Sequence, residues 1–417
     1  MRAFLFLLAA ASVVAASAEP VQQPKLTIHE WGTFTSLQDE AGGAVGGINS
    51  DDEPLPAFVH NLQWRWSLTD QNSQRANRFK KGYPQSHPDV TMRLETPVVY
   101  FHPLPGAATE KVDVSVEFLG GYLSQFYPKA VSSKIENRIK SDTRSKLEWH
   151  DLQLGLDRPL PQTPSHVWTT PRNVDAATVT NLDHETEKFL FYRGVGHLNA
   201  PLRLVHETST VEIHGQLDPS FPADGGMKIS RLWFSEFHQD GHCAFRELQP
   251  ITITPDGKPV LASTPLDFTG EAFTADHLAA LKKSMREALV TDGLNGDEAD
   301  ALLNTWELSY FKSPGTRLFF LVPHAWTEHY LPLKTSLQVP ISRVMVGRID
   351  LVTPEHRKLL QQIASSPVVK KNDAALWKAY DQLGRFRNAL LINEMARHPN
   401  ASLTAFMREY ELEPIAP

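Results

Sequence analysis

Two patterns of apolar and polar positions divide this chain. Up to about residue 270 the period is two. Its clearest instance sets Val112, Val114, Val116 and Phe118 against Asp113, Ser115 and Glu117. Such alternation marks a half-buried β-strand, because successive side chains leave a strand on opposite faces. Further strands are expected at 28–36, 91–102, 147–154, 188–193, 202–207, 211–214, 228–237 and 245–254. Turn residues such as Asp224-Gly225-Gly226 and Asp256-Gly257 separate some of them. Many short strands with one wet face point to antiparallel sheets stacked as a sandwich.

Beyond residue 270 the period becomes helical. Leu278, Leu281, Met285 and Leu289 recur on one face behind Thr274 as N-cap. Asp292-Gly293-Leu294-Asn295 stops that helix, and a second starts with Asn295 as cap and Glu298 three residues on. Its buried stripe is Ala299, Leu302, Leu303, Trp306 and Tyr310, which makes the pair an αα-hairpin. Segments 318–322 and 344–352 return to strand and rejoin a sheet. Thr353-Pro354 opens another helix, 372–398 reads as one long helix, and 402–410 as a last short one. The expected fold is α+β, predominantly antiparallel β and sandwich-like over 25–270, with a mixed, mainly helical C-terminal region over 271–417. No fixed-period repeat occurs.

Composition narrows the setting. Arg2, the apolar run from Ala3 to Ala16, and Ala16-Ser17-Ala18 read as a signal peptide over residues 1–18. That run is too short to span a bilayer comfortably, and no other stretch approaches the length required. The expectation is an exported protein, periplasmic or extracellular, without membrane insertion. Its single cysteine, Cys243, excludes an intrachain disulfide and reads as a small buried hydrophobe. The formal net charge is −7, with acids and bases mixed along the chain. No polybasic run is present, so nucleic acid and anionic membrane surfaces are not expected partners.

Candidate chemistry concentrates in Ile28-His29-Glu30-Trp31-Gly32-Thr33-Phe34-Thr35-Ser36. As a strand it puts Ile28, Glu30, Gly32 and Phe34 on one face and His29, Trp31, Thr33 and Thr35 on the other. Glu30 thus interrupts the more apolar face, where a carboxylate must be paired, metal-bound or protonated. Gly32 marks a bulge or a close approach. In 91–102, Arg93 and Glu95 stand similarly before Pro97, and His102 follows. Glu30, Glu95 and Arg93 are therefore candidate catalytic residues, and His29 and His102 candidate ligands of a divalent metal. The alternative is two separate Glu–Arg core pairs, with Arg93 in one of them. Trp31, Trp64 and Trp66 are candidate ligand-binding residues that would stack on a sugar ring, as would Trp149 and Trp168; the alternative is that they are core. The acids of 41–53 lack calcium-loop spacing and read as a solvated turn. His238 and His242 flank a turn, whereas a helix would put His324 and Glu328 on one face. The zinc-protease helix motif, the nucleophile elbow and the phosphate-binding loop are absent.

The run His29-Glu30-Trp31-Gly32-Thr33-Phe34-Thr35 resembles the N-terminal signature of a group of uncharacterised exported bacterial proteins. Leu94-Glu95-Thr96-Pro97-Val98-Val99-Tyr100-Phe101, Phe189-Leu190-Phe191-Tyr192-Arg193-Gly194, Leu331-Pro332-Leu333 and Val344-Met345-Val346-Gly347-Arg348 are similar to later blocks of that group. The resemblance spans most of the chain. It implies export and carries no catalytic residue, cofactor or substrate. Three functions fit the residues: a metal-assisted hydrolase acting on polymer or envelope material, a noncatalytic glycan- or envelope-binding protein, or a protein-interaction module using the C-terminal helices.

Overall fold

The computed structural model describes residues 26–50, 55–62, 79–80, 83–104, 111–136, 138–218, 221, 226–238, 240–254, 262–268, 273–366, 373–409 and 412. The expected signal peptide, Trp64, Trp66 and residues 51–53 of the acidic turn lie outside them. The strands include β1 (Leu26–Gln38), β2 (Met92–Pro103), β3 (Lys111–Leu119), β4 (Gly121–Tyr127), β5 (Arg144–Leu154) and β6 (Leu190–Gly196). They continue with β7 (Leu232–Phe237), β8 (Cys243–Leu248), β9 (Gly315–Leu321), β10 (Leu333–Thr335) and β11 (Ile341–Leu351). The fold is α+β with mostly antiparallel sheets, and its helices lie mainly in the C-terminal part.

The main sheet runs β8-β7-β9-β11-β1-β2-β6-β4 and ends on the short strand His60–Asn61. All its pairings are antiparallel except β1 with β11. β1 is buried on both faces, which explains its near-continuous run of large residues. One face carries Ile28 and Phe34 into a core shared with the second sheet, in which β3 and β5 pair. Val112, Val114, Val116 and Phe118 point into that core, as their alternation predicts. The opposite face carries Trp31 against two helices, α1 (Ala275–Thr291) and α2 (Gly296–Thr305). This gives a sandwich with a helical layer outside its larger sheet.

The boundary expected near residue 270 does not divide the main sheet, because β9 and β11 sit among strands from the first part. Two expected strands also split. Residues 227–229 pair with 251–253 in a small sheet of their own, while β7 and β8 join the main sheet. The chain changes sheet at Ser230-Arg231 and at Gln249-Pro250, where proline cannot donate to a ladder.

The remaining helices are α3 (His324–Tyr330), α4 (Pro354–Ala364), α5 (Ala374–Gln382), α6 (Arg387–Arg397) and α7 (Ala401–Glu409). The long helix expected over 372–398 is thus two. Gly384 separates them at φ 77°, a conformation glycine adopts without steric cost. α4 to α7 enclose a third core with Leu37, Val45 and Val352 at one end of the main sheet.

The αα-hairpin forms as its spacing predicts. Thr274 caps α1 by accepting from the His277 N–H, and Asn295 with Glu298 completes a capping box on α2. Trp306 is buried beside this hairpin and stacks on Tyr310, with centroids 5.5 Å apart. Trp306→Ala is expected to lower unfolding free energy by about 3–5 kcal/mol, measured by urea denaturation. A loss below about 1 kcal/mol would put that helix face in solvent.

Candidate metal centre

β1 and β2 are antiparallel neighbours, with Thr27 opposite His102 and His29 opposite Tyr100. His29 and His102 therefore lie diagonally on one face, and their rings approach to 4.7 Å between centroids. That face looks toward α2. The third residue of α2, Glu298, turns back over the strand ends in its capping box. Its Oε2 accepts from the Asn295 N–H at 2.6 Å and lies 2.7 Å from His29 Nδ1. Its Oε1 lies 3.1 Å from His102 Nε2. One carboxylate thus holds two imidazoles.

Among the described residues, these three form the group able to hold a metal ion, with donor atoms within 4.8 Å of one another. Zinc bonds of about 2.0–2.2 Å place neighbouring tetrahedral donors roughly 3.3–3.6 Å apart. The two His–Glu contacts are slightly closer than that, as direct hydrogen bonds are. The Glu298 side chain is fully buried, while those of His29 and His102 are 11% and 13% exposed. Solvent therefore reaches the histidine side of the centre.

The proton arrangement favours ligation. His102 Nδ1 donates to the Asp175 carbonyl at 3.0 Å. With Nδ1 so committed, Nε2 faces the carboxylate and carries either a second proton or a lone pair for a metal. Burial alone would lower the His102 pKa, but hydrogen bonding and charge from Glu298, with the Asp175 carbonyl, raise it instead. Burial likewise works against the Glu298 carboxylate. Hydrogen bonds from His102, His29 and the Asn295 N–H outweigh it and hold its pKa down at about 2.

Glu30 does not join this centre. It points to the opposite face of β1, where its carboxylate accepts from Arg343 Nε at 2.6 Å and from the Tyr192 hydroxyl. Arg343 continues to Glu328 at 2.6 Å and to the Leu331 carbonyl at 2.7 Å. Glu95 and Arg93 are fully buried on the face that bears Trp31. Arg93 Nε lies 2.8 Å from Glu95, which also accepts from Thr35 at 3.0 Å and Arg385 at 2.8 Å. The structure thus sets Glu30 and Glu95 on opposite faces with different arginines, as two separate Glu–Arg pairs with Arg93 in one of them rather than as one shared pocket. The strand geometry explains why. The β1–β2 register shifts between Trp31 and Thr33, Thr96 has φ 47°, and a Cβ on Gly32 would come within 2.9 Å of Pro97. This bulge at Pro97 turns Arg93 and Glu95 away from the face of Val99 and Phe101, which share Glu30's side.

Trp31 is sealed in the helix-side core near Tyr100, and Trp149 and Trp168 are buried as well. None of the three offers an indole face to a sugar. His324 and Glu328 do share a face on α3, 4.0 Å apart. Burial pushes the Cys243 thiol up to about 11, as for an inert core residue.

Glu298 was legible in the sequence only as a capping residue. It lies 269 positions from His29 and 196 from His102, and no local spacing links them. No family model and no curated protein matches the chain. Among solved structures it is similar to the Fcho1 Mu homology domain of Danio rerio with bound Eps15 peptide. The match has 8% identity and a TM-score of 0.27, covering 79% of this chain and 94% of that one. A superposition that loose carries no argument about fold or function.

Glu30→Gln tests the division between scaffold and site. It keeps shape but removes the charge opposite Arg343, so stability should fall by about 3 kcal/mol in urea denaturation. Zinc affinity should match wild type. A variant that keeps its stability but loses zinc would return Glu30 to the functional site.

Proposed function

We propose that this protein is an exported metal-dependent hydrolase acting on polymer or envelope material, with its metal held by His29, His102 and Glu298. The observation that carries this reading is the convergence of two imidazoles and one carboxylate from three distant segments at a solvent-reached edge. Two histidines and a glutamate make a donor set suited to zinc and related first-row ions. Three protein ligands leave a coordination position for water. A metal held by His29, His102 and Glu298 would supply Lewis-acid activation of water near neutral pH.

The chain's own residues do the rest. Glu298 stays ionised down to about pH 2 and brings negative charge to the centre. The Asp175 carbonyl keeps the His102 proton on Nδ1, leaving Nε2 directed at the centre. The helix-side core beneath, with Trp31 and Tyr100, shields the buried side from water. The signal-peptide pattern of residues 1–18 and the resemblance of the His29–Thr35 run to exported proteins support the location. No described helix is long and apolar enough to cross a membrane.

Metal analysis of the purified protein is the first test: about one zinc or similar ion per chain is expected. Hydrolysis of chromogenic ester and phosphoester substrates and of cell-wall polymer should be lost on chelation and return with metal. His102→Ala and Glu298→Gln should each weaken zinc binding at least about 100-fold, the upper end of what even outer-shell substitutions cost. A wild-type protein that takes up no first-row metal at neutral pH would end the reading.

The metal-free protein should also show a defined pH dependence. His102 has a raised folded pKa, so its contribution is complete below 6.5 and lost as pH rises through the higher folded value. Glu298 is depressed, so its contribution is complete above 4.5 and lost as pH falls toward 2. The melting temperature of metal-free protein should therefore drop on raising the pH from about 6 into the alkaline range, since of these two groups it is His102 that titrates there. Zinc should reverse that drop, because a metal replaces the proton between His102 and Glu298.

A further inference from the structure

We infer that Asp297 is the positioning residue of this centre, holding two of its three ligands in place through one carboxylate. The inference rests on the metal reading of His29, His102 and Glu298. Asp297 Oδ1 accepts from the backbone N–H of Glu298 at 2.9 Å. Asp297 Oδ2 accepts from the backbone N–H of Asp175 at 2.8 Å. The carbonyl of that same Asp175 accepts from His102 Nδ1 at 3.0 Å. One oxygen thus fixes the backbone that carries the Glu298 ligand. The other fixes the residue whose carbonyl sets the tautomer and ring orientation of His102.

The geometry exceeds what helix capping requires. An acid in the first turn of α2 interacts favourably with the helix dipole wherever its side chain points, and Asn295 already caps this helix. Asp297 instead reaches 122 positions back to Asp175, in the segment that follows the turn Pro171–Asn173. Val174 precedes it in extended conformation, and its cap N–H bonds only to Pro171 within that turn. The Asp297 bond ties exposed Asp175, next to buried Val174, to α2 beside the centre. Outer partners of this kind orient ligating histidines and typically alter metal affinity 10–100-fold.

Asp297→Asn breaks the bridge. An asparagine oxygen can accept from the Glu298 N–H or from the Asp175 N–H but not both, and its NH2 group faces the other, donor against donor. Zinc affinity should be measured by competition titration for wild type, Glu298→Gln and Asp297→Asn, with 15N NMR of the metal-free proteins reporting the His102 tautomer. The expected result is zinc binding about 10–100-fold weaker in Asp297→Asn, with proton density moving off His102 Nδ1. Should that variant fold poorly, Asp175→Pro breaks the bridge from the other side. It deletes the N–H while keeping the carbonyl, and extended Val174 suits a following proline. It should give the same loss and the same tautomer change. Wild-type zinc affinity and tautomer in whichever variant folds would overturn the role of Asp297 while leaving the metal centre standing. Absence of zinc binding by wild type would overturn both.

Discussion

A strand buried on both faces can satisfy its polar side chains only from inside the molecule. β1 is such a strand, and its polar residues dictate what packs around it. His29 meets Glu298 of α2, and Glu30 meets Arg343 of β11 and Tyr192 of β6. Thr33 accepts from Tyr310 of the turn after α2, and Thr35 donates to Glu95. Gln38 exchanges bonds with the backbone of Leu202 and Leu204 in a third sheet. These bonds attach other strands of the main sheet, the helical layer and a third sheet to one thirteen-residue strand. The candidate metal centre is the outermost of these attachments, where the strand end approaches solvent.

The buried arginines belong to the same logic. Arg317 and Arg348 converge on Asp350, and they also donate to carbonyls of 309–314. Burial and the neighbouring guanidiniums Arg348 and Arg385 bring Arg317 down to about 9, even though Asp350 opposes them. Guanidiniums thus satisfy carbonyls that the end of a helical segment leaves without intrahelical donors. Arg385 does comparable work at the break between α5 and α6. The left-handed Gly384 turns the chain there, and the next residue reaches Glu95.

The strands were legible wherever alternation exposed one face, as in β3, and the αα-hairpin wherever caps and apolar spacing agreed. β1 was legible as a strand, but its two buried faces gave no sign of what covered each. The split of 372–398 turned on Gly384, which helical periodicity tolerates. His29 and His102 stood out as histidines beside carboxylates, yet the carboxylates next to them in sequence were not those they meet. Alternation sends Glu30 to the far face, and the bulge at Pro97 removes Glu95 from the expected face. Glu298 comes from a helix whose capping role already accounted for it. Long-range convergence of this sort leaves no trace in local spacing.

The parallel pairing of β1 with β11 has a consequence for assembly. Glu30 and Arg343 are neighbours across that pair although 313 positions separate them. Contacts of such span slow folding, because the intervening chain must close before they form. A chain emerging from its N-terminus offers β1 one edge partner early, in β2, but the other edge stays vacant until residue 351 is available. The central core is thus completed late, after most of the chain is available. Until then β1 presents an unpaired strand edge, the kind of edge on which another chain can pair and aggregate.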